Sequence, residues 1–175
     1  MTRKHFTLWY RLDQVNGYLI WYTNDVDGVV VDKDTGQIPI FKNTIQLRIY
    51  AENSGLQLED GDIIIHDLDI VKSWLEKPTK KKVDCVYLLT AWNLFTDVAA
   101  SVGDSTFDCD RQKTNKIYDK LFWGNNLPNH PATSPPSKGY EPVWTAGEIK
   151  ILGEVLKYGL FMFRQSIQEA NCGEC

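Results

Sequence analysis

The spacing of apolar residues changes once along this chain, and that change restricts the folds open to it. Phe6, Leu8, Tyr10 and Leu12 alternate with Thr7, Trp9 and Arg11, the period of two that puts one set of side chains of a strand on a core face. Leu88, Leu89, Trp92, Phe95, Ala99 and Val102 instead recur at intervals of three and four, the stripe of an amphipathic helix. Strands followed by helices predict an α+β fold, in which an N-terminal antiparallel meander sheet packs against C-terminal helices. With 175 residues, 43% of them hydrophobic and 12% aromatic, the chain is long enough to bury one sizeable core. One domain over 1–175 is expected, strand-rich over 5–66 and helix-rich over 67–169, with a short tail at 170–175.

Tyr18, Ile20 and Tyr22 interleave with Leu19, Trp21 and Thr23, so both faces of that strand carry large apolar groups and it is expected inside the sheet. The Asn16-Gly17 pair tolerates positive φ and predicts the hairpin turn within Gln14-Val15-Asn16-Gly17. Turn clusters at 24–28 and 32–36 bracket a short strand, Val29-Val30-Val31. Pro39, between Ile38 and Ile40, has no amide donor and marks an edge. Ile45, Leu47 and Ile49 alternate with Gln46, Arg48 and Tyr50 and read as a strand with one wet face; Ile63 to Ile65 read as another.

Asp67 or Asp69 is placed to cap a helix over 68–76 that stops before Pro78. Lys80, Lys81 and Lys82 read as an exposed linker. Further helices are predicted over 84–102, closed by Gly103, over 110–123, closed by Gly124, and over 145–169, where Thr145 and Glu148 have capping-box spacing. Residues 125–142 hold five prolines and form a long loop.

Composition narrows the function classes. The net charge is −4, which argues against direct binding to a nucleic-acid backbone. The longest uninterrupted apolar stretches, such as Gly159 to Phe163 and Ile63 to Ile65, fall well short of the roughly 18 residues of a spanning helix, and the start, MTRKHFTLWYRLDQVNG, has no continuous apolar stretch of the export type. A cytoplasmic location without membrane contact is expected. The four cysteines fit reducing conditions, with Cys85 and Cys109 in helical patterns and Cys172 and Cys175 in the tail.

Catalytic signatures are sparse. Neither Gly-x-Ser-x-Gly nor a glycine-rich phosphate loop occurs, and no cofactor is expected. Asp25-Val26-Asp27-Gly28 and Asp32-Lys33-Asp34-Thr35-Gly36 resemble fragments of calcium loops but lack the later ligands, and read as turns. Cys172-Gly173-Glu174-Cys175 has zinc spacing without a second pair, so no metal is expected. His66 beside Asp67 and Asp69 offers general acid and base groups, but the triplet is read first as a structural imidazole with two helix-capping aspartates.

The acidic block is more informative. Glu52, Glu59, Asp60, Asp62, Asp67 and Asp69 fall within residues 52–69, which contain no Lys or Arg. A solvated face with cap residues accounts for such a block; so does a docking surface for a basic partner, with Trp9, Trp21 and Trp123 as aromatic anchors.

The segments Asp67-Leu68-Asp69-Ile70-Val71-Lys72-Ser73-Trp74-Leu75 and Asp84-Cys85-Val86-Tyr87-Leu88-Leu89-Thr90-Ala91-Trp92-Asn93-Leu94-Phe95-Thr96-Asp97 resemble stretches of immunity proteins from bacterial polymorphic toxin systems, including contact-dependent growth inhibition. The resemblance implies an inhibitor, not an enzyme, that binds and neutralises one cognate toxin domain in the cytoplasm. Such toxins are often nucleases with basic surfaces, which suits an acidic docking face. It also implies that a toxin hairpin could add to a sheet edge, for which Ile38 to Phe41 is the candidate. Two alternatives stay open: a small metal-dependent hydrolase using His66, Asp67, Asp69 or the cysteine tail, and an adaptor that binds peptides beside the proline-rich loop.

Overall fold

A computed structural model describes residues 3–126 and 139–170. It begins with a long hairpin, β1 (Lys4–Leu12) and β2 (Val15–Thr23), paired antiparallel in continuous register from Lys4 with Thr23 to Leu12 with Val15. A short β3 (Gly28–Val29) extends the meander beyond β2, and β5 (Ile65–Asp67) joins the other side, parallel to β1. The order is β3-β2-β1-β5, so β2 lies inside the sheet as its two apolar faces require.

The hairpin turns at Asp13-Gln14, not at Asn16-Gly17. Leu12 pairs with Val15, and Asp13 and Gln14 both have positive φ, 53° and 61°, the geometry that matches strand twist in a two-residue turn. Neither residue favours that conformation, and a distant carboxylate compensates: the amides of Asp13 and Gln14 donate to Asp69 at 2.6 and 2.7 Å. Gly17 serves a different purpose, since it pairs with Tyr10 and a Cβ there would lie 2.3 Å from the Tyr10 ring.

The predicted strand at 45–49 is instead a helix, α1 (Thr44–Asn53). Asn43 Oδ1 accepts from the Gln46 amide, while Gln46 Oε1 accepts from the Lys42 amide, so the N-terminus is capped from both sides. Leu47 and Ala51, four apart, are buried, whereas Ile45 and Ile49 are exposed. The alternation of isoleucines therefore falls on the solvent side of a helix. The candidate edge is also filled: β4 (Ile38–Ile40) pairs in parallel with β6 (Ile167–Glu169), and Phe41 exchanges two backbone bonds with Tyr18 of β2. The last helix correspondingly ends at Ser166, where the chain turns extended to make β6.

The remaining helices follow their caps. Asp67 caps α2 (Leu68–Glu76), Asp84 caps α3 (Cys85–Val102), Asp110 caps α4 (Arg111–Gly124), and Thr145 with Glu148 forms the capping box of α5 (Ala146–Ser166). Lys80–Lys82 make one 3-10 turn. Cys109 lies in the loop before α4, not on it, because the helix begins only after the Asp110 cap. The helix-side core joins Leu8, Tyr10 and Leu19 of the sheet to Trp92 and Phe95 of α3 and Phe163 of α5. On the opposite face Ile20 packs with Phe41, Leu47 and Ala51. The α+β reading holds, with two departures from a plain meander: the parallel strand β5 and the separate β4-β6 pair.

Candidate functional site

Residue 97 interrupts an apolar helix. Asp97 is the one charged side chain among the 18 residues of α3, and with Asn93 one turn earlier it forms a polar strip on the helix. That strip faces a cavity of about 540 Å³ between α3 and the sheet. Phe6, Thr7 and Leu8 of β1 and Trp21 of β2 form one wall; Asn93, Leu94, Thr96 and Asp97 form the other. Tyr118 of α4, His66 of β5, Asp27, Asp62 and Ile64 close the perimeter.

The perimeter owes its shape to a slip in strand pairing. Leu58 bridges His5 and Ile65 pairs with Trp9, so seven steps of the later segment cover four of β1 and the excess bulges outward. Asp60, Asp62, Ile63 and Ile64 ride on that bulge, and all four are exposed.

Asp97 Oδ2 accepts a 2.8 Å bond from Trp21 Nε1. Burial pushes its carboxyl up to about 6; the Trp21 bond lowers it and the Asp27 charge raises it further. Phe6 packs on Trp21 with ring centroids 5.7 Å apart, and Tyr118 donates to Asn93 Oδ1 at 2.9 Å. Three carboxylates, Asp27, Asp62 and Asp97, line the cavity, and among the described residues no Lys or Arg does. The field inside is that of an acidic, aromatic-walled cavity.

His66 shares this cavity. Burial lowers its pKa, while backbone contacts to Ile64, whose carbonyl lies 3.3 Å from Nδ1, and to Trp9 oppose that shift. The ring is thus held between the segment leading into β5 and β1, with its neutral form favoured by burial.

The structure disperses most of the residues singled out in the sequence. Asp62 and Trp21 meet in the cavity. Asp67 is committed to the α2 cap, and Asp69 to the hairpin amides, with Arg11 at 3.8 Å. Glu52, Glu59 and Asp60 are exposed outside the cavity lining, and the Glu59 amide donates to the His5 carbonyl. Trp9 belongs to the other face of the sheet, stacked on Tyr18 and bonded to Asn16 Oδ1 at 3.1 Å, and Trp123 is exposed on α4 against Phe122. Asp97, Asn93, Asp27 and Tyr118 are site residues that the sequence reading passed over. A lone charge in an otherwise uncharged helix is the signal that points to Asp97.

Among the described residues no group of three or more His, Cys, Asp or Glu side chains is placed to hold an ion. Asp32 Oδ1 is occupied by the amides of Asp34 and Thr35 and by the Thr35 hydroxyl, as in an ordinary Asx turn. Buried Cys85 has its thiol pushed up to about 11, which leaves it protonated and unreactive. Cys172, Cys175 and most of the proline-rich loop lie outside the described residues.

No protein-family model matches the chain, and no curated protein matches it. In fold it is similar to the SatS C-terminal domain, known from a crystal structure in complex with bromine, at a TM-score of 0.58 and 12% identity over 95% of this chain and 94% of that one. The likeness extends along nearly the whole chain and concerns the fold alone.

Proposed function

We propose that this chain is an immunity-type inhibitor: it binds the basic face of one toxin domain, in the cytoplasm, and blocks it stoichiometrically. The observation that supports this most is the cavity between α3 and the sheet, whose lining among the described residues holds three carboxylates, the rings of Phe6, Trp21 and Tyr118, and no Lys or Arg. Ile64 of the lining is exposed at 70%, as is Val26, the sequence neighbour of Asp27, at 68%. Apolar anchors beside carboxylates suit an interface with a basic protein, in which charge sets encounter rate and partner choice. A nuclease is the favoured partner because its substrate-binding surface must be cationic.

Co-expression with the C-terminal fragment of the large protein encoded immediately upstream tests the reading. Cells should survive and the two chains should co-purify one to one. Replacing Asp27, Asp62 and Asp97 together by Asn should weaken the complex at least tenfold without changing the circular dichroism spectrum. Killing by the fragment in the presence of this chain, with no complex formed, sinks the pairing.

One observation favours a second reading as a small hydrolase: a carboxyl with a raised pKa and an imidazole line the same cavity. That reading requires turnover by the purified chain, lost in both Asp97→Asn and His66→Asn.

A further inference from the structure

The molecule contains two carboxylates built on the same plan, and one of them is incomplete. Asp108 is buried in the helical half, where Trp92 Nε1 donates to its Oδ2 at 3.3 Å and Thr114 Oγ1 donates to its Oδ1. Arg111 completes that site at 3.1 Å from Oδ2. Asp97 repeats the first part: it is half-buried and Trp21 Nε1 donates to its Oδ2. Among the described residues no Lys or Arg pairs with Asp97, and Trp21 is its hydrogen-bond donor. A carboxylate withdrawn from water without a counter-charge is unfavourable, and here it borders a cavity large enough to admit a side chain.

We infer that the cavity is a receptor for one guanidinium group, the arginine side chain of a protein partner, with Asp97 as its terminal acceptor. The inference rests on the binding reading in taking the partner to be a protein. The wall chemistry selects arginine over lysine. Trp21 and Phe6 offer aromatic surface on one side and Tyr118 on another, and a flat, weakly hydrated guanidinium stacks on such rings while its edge bonds to carboxylates. An ammonium is compact and strongly hydrated and gains less from flat walls. Asp62 and Asp27 at the perimeter supply a second and third negative charge along the path inward. Asn93 Oδ1, which already accepts from Tyr118, adds another acceptor rather than a competing cation.

The test uses agmatine, a free alkyl guanidinium, with 1,5-diaminopentane as the ammonium control. Indole N–H signals of the full chain are followed by nitrogen-15 NMR. Agmatine should shift the Trp21 indole signal saturably, with a dissociation constant on the order of a millimolar as befits one isolated group. The diamine should bind at least several-fold more weakly. Asp97→Asn should weaken agmatine binding tenfold or more and Asp62→Asn a few-fold, with the Trp92 indole signal unmoved as a report that the fold is intact. Should Asp97→Asn fail to fold, the Asp62→Asn comparison and the ammonium control decide. An unmoved Trp21 signal at tens of millimolar agmatine overturns the inference, as does a shift that survives both substitutions or equal binding of the diamine. A toxin complex that forms although agmatine does not bind removes this anchor and leaves the inhibitor reading standing. Agmatine binding without any toxin complex does the reverse.

Discussion

Asp13 and Gln14 occupy backbone conformations that glycine adopts freely and other residues adopt at a cost of about 1 kcal/mol each. Asp13 has a reason to be there: its carboxylate accepts from Arg164 and from Lys72, which hold it well below the usual carboxylate range. Gln14 contributes only its amide to Asp69. Gln14→Gly should therefore stabilise the chain by up to about 1 kcal/mol in urea unfolding. Asp97 behaves in the opposite sense. Its carboxyl rises from 3.8 to about 6 on folding, so between those values the folded form holds more protons than the unfolded one and stability falls as pH rises through that window. Asp97→Asn cannot titrate and still accepts from Trp21. Its advantage over the parent chain should be absent near pH 3.5 and grow to on the order of 1 kcal/mol above pH 7, discounted for partial exposure. Unfolding curves at the two pH values measure it; a constant difference would contradict the assignment.

At the scale of elements, α3 and α5 cross closely because Gly159 removes a side chain at their contact. A Cβ there would lie 2.3 Å from Cδ2 of fully buried Phe95 and 2.9 Å from Phe107. Gly159→Ala gains helix propensity of about 1 kcal/mol but must displace a ring in a full core. A net loss of about 2 kcal/mol is expected, seen as a lower thermal midpoint. Elements differ in how legible they were. The α3 stripe, its Asp84 cap and the Thr145 capping box were read directly because local spacing determines them. The α1 segment was misread because its two exposed isoleucines counted as buried, although Asn43 and Gln46 carried a capping pattern. The hairpin turn was misplaced because the group that stabilises it, Asp69, lies 55 residues from Gln14. The cavity was half legible for the same reason. Asp62 and Trp21 stood out by type, but only the pairing slip beside β1 brings them to Asp97.

Across the whole molecule, several ties join segments far apart in sequence. Asp13 at the hairpin tip bonds Lys72 of α2 and Arg164 of α5, so one turn draws three distant segments together. The β4-β6 pair does the same at larger separation, joining Ile38 to Ile167 in parallel. That pairing has a consequence for biosynthesis. Ribosomes release a chain from its N-terminus, and Ile38 to Ile40 must wait for well over a hundred further residues before their partner exists. Closing so large a loop is slow, and until then an apolar strand edge is bare and open to wrong partners. The nascent chain thus carries a bare apolar strand edge, even when the hairpin and α3 are already made, for as long as Ile167 to Glu169 have not left the exit tunnel.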